Sequence, residues 1–216
     1  MPSSEDARGA LIDVAERLFA ERGIDGVSMR DVAAAAGQRN NSAVAYHFGG
    51  RDGLVLAVLR RRMGEINTAR RALLADVDAR GRGNEVRALV EVALVPLADY
   101  VRSTEEVSHY AQFLARVAPA VDFSTGGFAD VSDANAEVLA RLTRVLDHLD
   151  RRTAVERIDL MFSMAVAALA VFEQRKTAGI PVVAASFDQT VAHVLDMSVG
   201  ALLAPESRRG PTPPSC

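Results

Sequence analysis

A chain of 216 residues that is 49% hydrophobic can bury a sizeable core in one or two domains. It has no tryptophan and only 5% aromatic residues, and its abundance of Ala, Leu and Val favours packed helices over sheets. The net charge of −3 excludes a non-specific polycation, and the single cysteine, Cys216, excludes a disulfide framework.

In chain order, the opening MPSSEDARG has no apolar stretch flanked by positive charge, so no signal peptide and a cytoplasmic location are expected. Leu11, Ile12, Ala15, Leu18 and Phe19 then recur at helical spacing up to Gly23. Ser28 followed by Asp31 has the pattern of a capping box, which marks a new helix start. Val32 and Ala36 share one face of that short helix, and Ala33 offers a small surface for a crossing helix. Gly37 stands at the turn. The polar run 38–42 opens a second short helix, which ends in Tyr46-His47-Phe48 and is stopped by Gly49 and Gly50. Two short helices joined by a glycine turn form the DNA-reading helix-turn-helix, with the second helix lying in the major groove. Taken by itself, the pattern also fits a helical hairpin without a ligand.

From residue 52 to the end the pattern is helical. A long helix is expected over about 52–78, with Leu54, Val58, Met63, Ile66, Leu73 and Val77 as its apolar stripe and Gly81 and Gly83 as its end. The next, about 84–102, contains Pro96, which removes a backbone donor and predicts a kink. Further helices are expected over about 105–117, 132–149, 153–178 and 187–203, with a loop at 122–130. The run LMFSMAVAALAVF, residues 160–172, is apolar around its circumference and must be covered on several sides. It is too short for the ~20 residues of a membrane span, so no membrane association is expected. The predicted architecture is all-α, with an N-terminal three-helix DNA-binding unit (residues 1–52), a larger helical effector-binding and dimerisation domain (53–204) and a disordered tail (205–216).

Residues 8–59 resemble the N-terminal domain of the TetR family of bacterial transcriptional regulators. The resemblance rests on Ala15…Leu18-Phe19-Ala20-Glu21-Arg22-Gly23, Ser28-Met29-Arg30-Asp31-Val32-Ala33, Ala36-Gly37, Tyr46-His47-Phe48 and Arg51-Asp52-Gly53-Leu54. The RNNSAV stretch, residues 39–44, is similar to a recurrent subgroup of that family, and Ala45 stands where the family most often has a tyrosine. The resemblance implies a homodimer on a palindromic double-stranded DNA operator, acting as a repressor released by a small-molecule effector. It also implies a four-helix bundle made from the last two helices of each partner. The alternative for those helices is a central place in a larger single-chain bundle.

Charge is distributed mildly in favour of this reading. The first 62 residues carry nine arginines against eight acids, and the remainder sixteen basic residues against twenty acids. The residues expected to meet DNA are Ser28, Arg30, Arg39, Asn40, Asn41, Ser42, Tyr46, His47 and Arg51. Arg30 matches a family position that reaches the groove, and a guanidinium pairs well with guanine O6/N7. One asparagine of the Asn40-Asn41 pair suits an adenine edge and the other a helix cap. Ser42, Tyr46, His47 and Arg51 suit phosphate oxygens. Candidates for an effector pocket are Tyr100, His109, Tyr110, Phe113, Met161, Met164 and Phe172, an aromatic and Met-rich set suited to an apolar or amphipathic molecule. The histidines His47, His109, His148 and His193 lack metal-ligand spacing, and no nucleophile turn or phosphate loop is present. No catalysis, cofactor or metal is therefore expected. An activator, or a DNA-binding protein without an effector, remains the alternative function.

Overall fold

The computed structural model describes residues 4–38, 43–103, 108–117, 133–180 and 187–206. Among the described residues there are nine helices and no strand: α1 (Ser4–Arg22), α2 (Met29–Ala35), α3 (Ala43–Phe48), α4 (Arg51–Ala79), α5 (Val86–Ser103), α6 (Tyr110–Val117), α7 (Asp133–Val145), α8 (Arg151–Thr177) and α9 (Phe187–Leu203). The all-α architecture expected from the sequence is the one observed. The expected loop at 122–130, the segment 39–42 and the tail beyond residue 206 lie outside the described residues.

Local chemistry accounts for the helix boundaries. Ser28 caps α2: its Oγ accepts the Asp31 N–H at 3.1 Å, and Asp31 Oδ2 accepts the Ser28 N–H at 2.9 Å. Two free donors are thereby satisfied reciprocally. Gly37, at φ 68, lets the chain leave α2 in the left-handed region. Gly53 has a different role, because a Cβ there would lie 1.8 Å from the Phe48 carbonyl oxygen. Only glycine lets the first turn of α4 fold back against the end of α3. Asp150 caps α8 by accepting the Thr153 N–H at 3.0 Å.

Burial follows the sequence stripes closely in α1, where Leu11, Ile12, Ala15, Leu18 and Phe19 are all buried. In α4, Leu54, Val58, Ile66 and Val77 are buried as expected. Leu74 replaces Leu73 as the inward residue, while Met63 and Leu73 are only partly buried. The reason is spacing: from Ile66, four-residue steps reach Arg70 and Leu74, not Leu73.

Two apolar clusters organise the core. The first joins α1, α2, α3 and the N-terminal half of α4 with the end of α5, with α6 and with Leu169 of α8. The second joins the far end of α4 with α5, α7, α8 and Leu202 of α9. The core of the three-helix unit thus continues past residue 52, and Phe19 of α1 meets Phe113 of α6 at 6.3 Å between ring centroids. α6 lies between α1 and α8. A polar tie reinforces this: Arg62 of α4 donates to Glu16 at 2.7 Å and to Asp13 at 2.9 Å, both on α1.

Within this single chain the 160–172 run is only partly covered. Met161, Ala165 and Leu169 face the core, whereas Leu160 is 68% exposed and Ala167 and Val171 are also exposed. No described helix is long and apolar enough to cross a membrane.

Candidate nucleic-acid interface

The two short helices α2 and α3 are held from below by an apolar layer. Val27, Val32, Ala33 and Val44 are fully buried against α1 and the start of α4. Their opposite sides carry polar groups. Arg30 on α2 is exposed, and Tyr46 on α3 is 83% exposed, the most open of the large hydrophobic side chains among the described residues. An aromatic ring that open gains nothing from its own fold, and its hydroxyl is free to reach a phosphate oxygen. His47, half-buried, lies with its ring edge-on to Tyr46 at 5.0 Å. Arg8 of α1 stacks over Phe48 at 5.2 Å, which adds a cation beside the end of α3.

Arg51 is placed by a different set of contacts. One of its terminal nitrogens donates to the Val27 carbonyl at 3.0 Å, and the other lies 3.8 Å from the exposed Asp25 carboxylate. This fixes the guanidinium between the loop before α2 and the first turn of α4, still partly exposed. Ser28 is committed to the cap, its hydroxyl donating to Asp31 Oδ2 at 2.6 Å. The bonds from the Ser28 side chain and backbone hold the Asp31 carboxyl below its ordinary range. Arg39, Asn40, Asn41 and Ser42 lie outside the described residues. The structure therefore brings Arg30, Tyr46, His47 and Arg51 to the α2–α3 region on two short helices and one helix start.

The expected pocket residues do not all come together. Tyr100, Tyr110 and Phe113 form a continuous aromatic group, with ring centroids 5.7 and 5.9 Å apart. Phe172 joins the same core cluster and meets Phe187 edge-on at 4.5 Å. His109 sits half-buried just before α6, and burial lowers its pKa. Met161 belongs to the second core cluster, and Met164 belongs to neither.

Two buried charged groups in this domain went unnoticed in the sequence. Arg70 of α4 is 2% exposed, donating to Asn67 Oδ1 and, at 3.1 Å, to the Ala93 carbonyl of α5. Glu173 of α8 is 2% exposed and accepts the Gln112 N–H at 3.0 Å, at the start of α6. Each lies on an apolar stripe at helical spacing, Arg70 between Ile66 and Leu74 and Glu173 four residues after Leu169. A charge in phase with buried neighbours was the available signal.

Comparison with known proteins places this geometry. Residues 11–58 match the family model of bacterial regulatory proteins of the tetR family. The first 58 residues thus contain a TetR-type helix-turn-helix DNA-binding domain. No curated protein matches the chain in sequence. Solved structures resemble it over nearly their whole length. A probable transcriptional regulatory protein, RHA5900, is 20% identical, with a TM-score of 0.58 over 92% of this chain and 100% of the other. AmtR of Mycobacterium smegmatis is 18% identical, with a TM-score of 0.54 over 96% and 89%. HlyIIR, a hemolysin II transcriptional regulator, is 15% identical, with a TM-score of 0.53 over 90% and 98%. At these identities the likeness is one of fold, and it covers nine-tenths or more of this chain.

Proposed function

Starting from a TetR-family transcriptional-regulator fold, we propose that this protein is a ligand-responsive repressor that binds a palindromic operator as a homodimer in the cytoplasm. Residues 1–52 are the reading unit, and residues 53–204 carry the effector site and the dimer contact. The observation that carries the reading is the α2–α3 pair itself. A capped helix, a left-handed glycine turn and a second helix present Arg30 and a wide-open Tyr46 above a fully buried underside. Arg30, Asn40 and Asn41 read base edges with Arg39 beside them at the groove, Ser42, Tyr46, His47 and Arg51 hold the DNA backbone, and Ser28 acts through the cap that sets α2.

The dimer reading rests on the uncovered side of α8. Leu160, Met164, Ala167 and Val171 recur at helical spacing, and Met197 of α9 is 60% exposed. Apolar helix faces of this kind ask for a partner surface, and a dyad sets two reading helices about one DNA turn apart. A ligand that favours the splayed arrangement of the two units releases DNA, and by linkage the operator weakens that ligand in equal measure.

Selection of duplexes from a random-sequence pool by the purified protein tests the reading. The expected outcome is a palindrome with half-sites about one helical turn apart. Arg51→Ala is expected to weaken every duplex alike and make the salt dependence shallower, whereas Asn40→Ala and Asn41→Ala lose discrimination. A selected pool no different from the starting pool would refute it.

A further inference from the structure

The arginines of the reading unit are not equally free to meet DNA. Arg17 is paired with Glu21, Arg61 with Asp13, and Arg62 with Glu16 and Asp13. Arg51 gives one nitrogen to the Val27 carbonyl and has the Asp25 carboxylate 3.8 Å from another. A guanidinium beside a carboxylate has part of its charge cancelled before any phosphate arrives. Arg8, Arg22 and Arg30 are exposed and form no ion pair with a described residue. Arg22 and Arg30 still act on the nearby Asp31 carboxyl. Arg8 is held by a ring instead.

That hold leaves room for a second partner. The Arg8 guanidinium carbon lies 5.2 Å from the ring centroid of Phe48, at the end of α3. Contact with a ring leaves the positive charge uncancelled and the N–H donors unspent, as a carboxylate does not. It also restrains a long side chain in advance, so less freedom is lost when an anion binds. Phe48 belongs to a row: His47 lies 6.0 Å from it, and Tyr46 lies 5.0 Å from His47, centroid to centroid. The cation stands at one end of this row, and the wide-open Tyr46 stands at the other. Glu5 and Asp6 occupy the first turn of α1. The helix terminus is therefore no anion site, and only the Arg8 side chain can make such a contact.

We propose that Arg8 is a DNA-backbone contact: its guanidinium, seated on Phe48, bonds a phosphate on the flank that Tyr46 reaches, so that α1 and α3 grip one strand together. This rests on the regulator reading above and adds a residue of α1 to an interface otherwise drawn from α2, α3 and the start of α4. Phe48 is a positioning residue here and acts only through Arg8. Because a phosphate carries no base identity, the contact strengthens binding to every sequence alike.

Fluorescence anisotropy of the full chain over a series of salt concentrations tests the proposal, with the selected duplex and a scrambled duplex of the same length. Arg8→Gln is expected to weaken both duplexes by roughly tenfold and to make the salt dependence shallower by about one unit per subunit. Arg8→Lys keeps the charge and should keep the wild-type slope. Phe48→Leu removes the ring but leaves an apolar side chain, and the loss caused by Arg8→Gln should shrink in that background. Arg17→Gln makes the same charge change on α1 at a residue already paired, and the slope should stay as it was. Arg8 is exposed, so its variants should fold, and thermal melting without DNA checks this. A wild-type slope in Arg8→Gln, an equal change in Arg17→Gln, a loss confined to the selected duplex, or additive losses with Phe48→Leu overturns the proposal. If the wild type binds neither duplex, the regulator reading falls and this contact with it. If the wild type binds and Arg8→Gln matches it, only this contact falls.

Discussion

Replacing Glu173 by glutamine should alter how stability depends on pH. Burial pushes the Glu173 carboxyl up to about 7, and the negative charge of Glu16 adds to the effect, while hydrogen bonds from Gln112, Ser108 and Ala111 act against it. The folded-state value lies above the ordinary 4.5. The folded chain therefore keeps a proton that the unfolded chain releases across that window, and stability falls as pH rises through it. The full displacement corresponds to roughly 3 kcal/mol, or roughly 6–12 °C in Tm for a chain of this size. Glutamine keeps an oxygen for the Gln112 N–H and cannot ionise. Urea unfolding of wild type and Glu173→Gln is the assay, run from pH 4.5 to pH 8. The two proteins should be close in stability at the acid end, with the variant ahead by most of that amount at pH 8. Because every other titrating group is common to both, parallel curves would refute the reasoning.

Three further outcomes follow from specific contacts. Ser28→Ala removes the cap of α2 and should cost about 1 kcal/mol in urea unfolding, with far-UV circular dichroism otherwise unchanged. Arg62→Met leaves the buried Glu16 carboxylate without its cation and should cost roughly 3–5 kcal/mol; adding Glu16→Gln should recover most of it, and a double-mutant cycle measures the recovery. Ala167→Glu places a charge on the uncovered side of α8, so the single chain should stay folded while the proposed dimer separates. Light scattering that still gives a dimer would remove α8 from the interface.

Much of the fold was legible because its signals are local. Period and capping placed α2, α4 and α9 and the end of α1 within a residue or two, and Gly37 and Gly53 stand where the backbone needs them. The reading unit was legible for the same reason, since its turn chemistry is written in consecutive residues. Contacts between distant helices were not. Nothing in the short stripe of α6 says that Phe113 will meet Phe19 rather than the far end of the bundle. The aromatic candidates Tyr100, Tyr110 and Phe113 come together, but Met161 and Met164 do not join them. Composition identifies residues suited to an apolar cluster without saying which cluster. Arg70 and Glu173 were overlooked because a charged side chain is assumed to face solvent, whereas phase with Ile66 and Leu74, or with Leu169, puts each inside.

The contact between α1 and α6 has a mechanical meaning. The reading unit is fastened to the rest of the chain at three places, through the start of α4 behind Gly49 and Gly50, through Phe19 against Phe113 and through Arg62 on Glu16 and Asp13. A body held at several separated points has no free swivel. A displacement of α6 therefore reaches α3 only by carrying α1 and the start of α4 with it, as one piece.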